Sequence, residues 1–107
     1  MSYLPLIAYF FGGAFFTNSI PHLVSGVLGR PFQSPFANPP GRGLSSSTVN
    51  VLWGAFNLAV SYLLVLHVGA FELRSFGHAL ALGVGALLIG LFSARAFGQF
   101  HGGNAPQ

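Results

Sequence analysis

The chain has 107 residues, of which 52% are hydrophobic and 5% charged, with a net charge of +3. A soluble domain carries about 25% charged residues, so this composition cannot furnish a water-facing surface and excludes an ordinary soluble domain. The basic balance (pI ≈ 10.3, mean hydropathy +0.67) rests on four arginines with no lysine cluster, so no nucleic-acid partner is expected. There is no cysteine, hence no disulfide and no thiolate nucleophile or metal ligand.

The charges are Arg30, Arg42, Glu72, Arg74 and Arg95, and the stretches 1–29, 43–71 and 75–94 contain none. A membrane span needs about 20 predominantly apolar residues, and a charge in hydrocarbon costs several kcal/mol. The distribution therefore predicts an all-α integral membrane protein. It is a single domain of three transmembrane helices, spanning about 4–28, 47–68 and 76–97. A Pro/Gly-rich loop (29–46) joins the first two, and 98–107 form a mobile tail.

The first span is rich in aromatics, with Pro5 in its first turn, where a missing N–H costs nothing. It lacks a basic segment before its apolar run and is expected to be retained rather than cleaved. Pro21 lies well inside, removes a hydrogen bond to the Thr17 carbonyl and predicts a helix kink. Thr17, Asn18 and Ser19 are placed to satisfy the freed backbone.

The loop GRPFQSPFANPPGRGLSSS holds four of the seven prolines and is expected to be extended, with turns. Its Phe32 and Phe36 are expected to dip into the membrane interface. Ser45, Ser46 and Ser47 offer N-caps for the second helix. Arg42 with Ser45 and Ser46 is a candidate lipid-headgroup site, beside the plainer reading of a turn bearing one arginine.

In the second span Trp53 suits an interfacial anchor. The short turn after it, roughly 69–75, predicts that spans two and three are antiparallel neighbours. In the third span Ala79, Gly83, Ala86, Gly90 and Ala94 recur at helical spacing, a helix-packing stripe through which backbones approach closely in lipid. Arg30, Arg42 and Arg95 fall on one side, Arg74 and the amino terminus on the other. The positive-inside rule then predicts N-out, C-in topology, and a bacterial cytoplasmic (inner) membrane is the expected location.

Polar residues inside spans are the most informative, because each costs energy unless paired. Asn18, His22 and Ser25 share one face of the first helix; Asn50, Asn57 and Ser61, with Gly54, share one face of the second. Asn18 and Asn57 each lie about ten residues, roughly 15 Å, from the loop end. Antiparallel packing predicts rungs: Asn18 with Asn57, His22 beside Trp53 and Gly54, Ser25 with Asn50, and Ala14 with Ser61. Gly54 would leave room for the imidazole. One reading makes this seam structural glue at about 0.6–2 kcal/mol per contact. The other makes it a site for a small polar ligand, proton or ion.

His67 and His78 flank the short turn and are a weak alternative as a metal or haem pair. No acidic residue supports them, so no metal or cofactor is expected. No catalytic constellation is present: His22 near Ser19 and Ser25 lacks an orienting Asp, so an enzyme is not expected.

The run FTNSIPHLVSGVLGRPFQSPFANPPGRGLSSSTVNVLWG resembles segments of small bacterial membrane proteins. In size and span count the chain is similar to bacterial half-transporters that move sugars as homodimers. Their hallmark Pro-Gln pair inside the first span is absent: Pro21 precedes His22, and Pro-Gln occurs only as Pro106-Gln107. The similarity thus implies architecture alone. The expected role is an accessory or interaction subunit packing in a homo-oligomer or with other membrane proteins, in contact with the lipid bilayer. The alternative is a minimal oligomeric transporter or channel for a small polar solute, ion or proton.

Overall fold

The structure is a computed structural model that describes residues 2–105. It contains three helices, α1 (Leu4–Val27), α2 (Ser47–Leu66) and α3 (Phe76–His101). Inside the α1–α2 loop a two-residue antiparallel pair, β1 (Phe32–Gln33) with β2 (Leu44–Ser45), sets Phe32 opposite Ser45. The loop is therefore extended with turns, and pinned at its base.

Local chemistry sets the helix ends. Gly29 adopts φ +74 and the Arg30 N–H reaches the Ser25 carbonyl at 2.9 Å, a Schellman closure of α1 that glycine permits. Ser46 caps α2, its hydroxyl accepting from the Val49 N–H at 3.1 Å; Ser75 caps α3 through the His78 N–H at 3.3 Å. α1 runs unbroken through Pro21. The Ser19 hydroxyl donates to the Phe16 carbonyl at 2.6 Å, not to the Thr17 carbonyl that the proline frees.

α1 is the central helix: α2 and α3 both pack along it and make no comparable contact with each other. This corrects the expectation that the short turn makes α2 and α3 neighbours. Glycine places them. A Cβ on Gly13 would overlap the Leu82 carbonyl, and one on Gly85 would overlap the Phe10 carbonyl, so α1 and α3 touch backbone to backbone. On the other flank, a Cβ on Gly26 would come within 2.7 Å of the Ser47 carbonyl, and one on Gly54 within 2.9 Å of the Leu23 nitrogen. The connection 67–75 can bridge α1 because nine extended residues reach about 30 Å, whereas two helix spacings need about 16–20 Å.

The small-residue stripe is not the face of α3 that meets α1. Gly83 and Ala94 are exposed, and a Cβ on Gly83 would meet nothing within 4 Å. Gly90 comes no nearer to α1 than a would-be contact of 3.7 Å to Thr17, and Ala79 and Ala86 are half-buried. The face that meets α1 centres on Gly85, whose missing side chain lets the α3 backbone reach the Phe10 carbonyl. The tail differs too: α3 continues to His101, Gly102 ends it at φ +83, and the Asn104 amide donates to the Arg95 carbonyl at 2.8 Å. Residues 106 and 107 of the expected mobile tail lie outside the described residues.

Among the described residues two helices, α2 and α3, are long and apolar enough to cross a membrane. α1 has the length, about 36 Å at 1.5 Å per residue, but carries Thr17, Asn18, Ser19, His22 and Ser25 in its second half. The molecule measures 44 × 32 × 22 Å.

Candidate functional site

The seam between α1 and α2 is real in its geometry. The Asn18 amide donates to Asn57 Oδ1 at 3.0 Å, and the Asn57 amide donates to the Trp53 carbonyl at 2.8 Å. One turn deeper toward the short-turn end, the Ser61 hydroxyl donates to the Gly12 carbonyl at 2.7 Å, rather than facing Ala14. At the loop end His22 Nδ1 lies 2.7 Å from Asn50 Oδ1.

Two further expected rungs are corrected. Asn50 pairs with His22, and Ser25 is half-buried at the α3 side of α1, beside Phe97 and Gly98, with no part in the seam. Gly54 makes room for Leu23, not for the imidazole. Asn18 stands level with Asn57, and at the loop end it is His22 rather than Ser25 that spans the gap to Asn50.

Asn50 is the hub of this end. Fully buried, it directs its amide nitrogen to the carbonyls of Phe32 (3.2 Å), Ser45 (3.2 Å) and Ser46 (3.0 Å). Two N–H groups serve three acceptors, so at least one bond is shared. That network fixes the amide orientation, leaving Oδ1 toward His22. An amide oxygen only accepts, so His22 Nδ1 carries the hydrogen, and in the neutral ring Nε2 is the lone-pair nitrogen.

Phe32 does not dip into an interface. Its ring packs edge-on against His22 (5.6 Å) and Phe97 (4.7 Å) and stacks on His101 (5.1 Å, 7°). Phe36 is exposed and meets Trp53 edge-on at 5.1 Å. Next to Phe32, Gln33 is only 4% exposed and accepts from His101 Nε2 at 2.8 Å. Ser34 bonds Ser45 and accepts from the Phe36 N–H at 3.1 Å.

These residues enclose a pocket of about 250 Å³ between α1, the loop and the last turns of α3. Asn18, His22, Gln33 and Ser34 face it, and Trp53, Ile89, Phe92 and Phe97 wall it. Several polar atoms there have no protein partner among the described residues: His22 Nε2, Asn18 Oδ1 and the Gln33 amide nitrogen. The Trp53 indole N–H is also buried and unpaired in the pocket wall. Leaving such a group dry costs about 1–3 kcal/mol. Sequence reading missed Gln33 and Ser34, since nothing in a Pro-rich loop signals that it folds back over two helices.

The other candidates disperse. Arg42 lies exposed over the Phe100 ring at 5.5 Å, Ser45 is buried against Ser34, and Ser46 is spent on the α2 cap, so the three form no headgroup site. His67 Nε2 lies 3.0 Å from the Tyr62 hydroxyl, whereas His78 Nδ1 accepts from the Glu72 N–H at 3.0 Å and packs on Tyr9. They do not pair. Among the described residues no group of three or more His, Asp or Glu could hold a metal ion.

Comparison of the chain with protein-family models, with curated proteins and with solved structures finds no match.

Proposed function

We propose that this chain is a three-span integral membrane protein that binds a small polar solute in the pocket at its long-loop end. The membrane reading is supported by an inverted burial pattern. Buried side chains are largely polar (Ser19, His22, Gln33, Ser34, Ser45, Asn50, Asn57, Ser61), while Phe11, Phe16, Leu52, Phe56, Leu87, Leu91 and Phe92 are exposed. Water would select the reverse; hydrocarbon selects this. The long dimension of 44 Å suits a bilayer of about 40–45 Å with its headgroups. Arg30, Arg42 and Arg95 at the loop end support a reading with that end in the cytoplasm and the amino terminus outside.

The observation that carries the binding reading is the convergence of Asn18, His22, Gln33 and Ser34, with the buried, unpaired Trp53 N–H, on one pocket in an otherwise apolar molecule. Asn57 and Ser61 are spent on pairing the helices and Asn50 on His22 and the loop, so these three act as glue. Native mass spectrometry of the full-length protein in mild detergent tests this. A reproducible small adduct, lost on Gln33→Glu, supports it; a bare protein under conditions that retain lipid counts against it.

A second reading, the accessory subunit, is favoured by a different feature. Because α1 separates α2 from α3, an apolar groove remains between them, floored by Gly13 and Phe16 and edged by Leu58, Gly83 and Ala86. A second copy of the chain would seat a helix there, and a discrete homodimer abolished by Gly83→Leu would support that.

A further inference from the structure

The pocket's lining restricts the chemistry of its ligand. No charged side chain faces it among the described residues; Arg42 is held over Phe100 and Arg95 lies on the outer face of α3. An ion bound there would lose its hydration with no counter-charge to replace it. The free valences are of both kinds. The Gln33 amide nitrogen is a donor, because its oxygen is committed to His101. His22 Nε2 and Asn18 Oδ1 are acceptors, because Asn50 and Asn57 fix the other ends of those side chains. Ile89, Phe92 and Phe97 leave the remainder of the wall apolar.

Resting on the reading of this pocket as a binding site, we propose that its ligand is a small uncharged molecule of the carboxamide type. Such a molecule presents one carbonyl acceptor and an N–H donor together on a short apolar body. Its carbonyl takes the Gln33 amide hydrogen, its N–H takes His22 Nε2 or Asn18 Oδ1, and its alkyl part lies against Phe92 and Phe97. A ketone satisfies only half of this pattern. A carboxylate meets no cation and a cationic amidine meets no anion.

Trp53 is the only tryptophan and lines the pocket, so its fluorescence reports occupancy. The test is a titration of the purified full-length protein with four probes of matched size: butyramide, butyrate, butyramidinium and 2-pentanone. The expected result is a saturable shift of Trp53 emission with butyramide at least tenfold tighter than with the other three. Gln33→Glu keeps the oxygen for His101 but removes the donor, and should weaken butyramide by about tenfold. Tighter binding of butyrate or butyramidinium would overturn the assignment of ligand class while leaving a binding site. Equal response to 2-pentanone, unchanged by Gln33→Glu, would show apolar partition only and overturn it. No saturable response to any probe would overturn the binding reading, and the ligand class with it.

Discussion

His22 Nδ1 and Asn50 Oδ1 stand 2.7 Å apart across the α1–α2 interface, and this contact ties two helices and a loop into one unit. Asn50 holds the backbone of Phe32, Ser45 and Ser46 with its other end, so the imidazole is oriented by the loop it helps to fasten. The expected tautomer is Nδ1–H. Nitrogen-15 NMR of histidine-labelled protein should show a protonated Nδ1 for His22, and Asn50→Leu should abolish that preference. Asn50→Leu should also raise hydrogen exchange across residues 30–46, since several bonds of about 0.5–1.5 kcal/mol each are lost together.

The Asn18–Asn57 pair predicts a measurable coupling. In a double-mutant cycle with Asn18→Leu and Asn57→Leu, the interaction energy should be about 0.6–1.7 kcal/mol, read from unfolding in mixed detergent. Strict additivity would show that the 3.0 Å bond contributes nothing net.

Two glycines two residues apart on α3 should behave oppositely. Gly85→Ala drives a methyl into the Phe10 carbonyl and should destabilise the fold by about 1–3 kcal/mol. Gly83→Ala meets open space and should stabilise by about 0.5–1 kcal/mol through helix propensity. Thermal unfolding of the two variants side by side checks the pair, and equal effects would contradict the packing described.

Much of the helix layout was legible because charge and apolar length are one-dimensional properties. Five charges in 107 residues leave few places for helix ends. The seam was legible because Asn18, His22, Asn50, Asn57 and Ser61 lie at helical spacing and antiparallel depth is simple arithmetic. The order of helices across the bundle was not. It depends on Gly13 meeting the Leu82 backbone, on Gly85 meeting the Phe10 backbone, and on Gly26 and Gly54 meeting α2 and α1 backbone, and periodicity along one helix does not reveal which stripe finds a partner. The Ala79–Ala94 stripe showed good spacing with no matching surface on α1. Gln33 and Ser34 escape a sequence reading, and Phe32 is misassigned to the interface, because the loop is folded back by bonds to Asn50, Ser45 and His101, contacts between distant residues that no local pattern encodes.

The account rests on the exposed apolar surface facing hydrocarbon and on opposite ends of the bundle facing opposite compartments. The natural chain has no cysteine, so single-cysteine variants give clean labelling. Arg42→Cys, Leu73→Cys and Leu87→Cys would be treated with a membrane-impermeant maleimide in right-side-out vesicles, before and after permeabilisation. All three positions are exposed in the folded chain, Leu87 at 60%. The account predicts that Leu73→Cys labels at once, Arg42→Cys labels only after permeabilisation, and Leu87→Cys resists in both. Ready labelling of Leu87→Cys, or labelling of Arg42→Cys and Leu73→Cys from the same side, would contradict it.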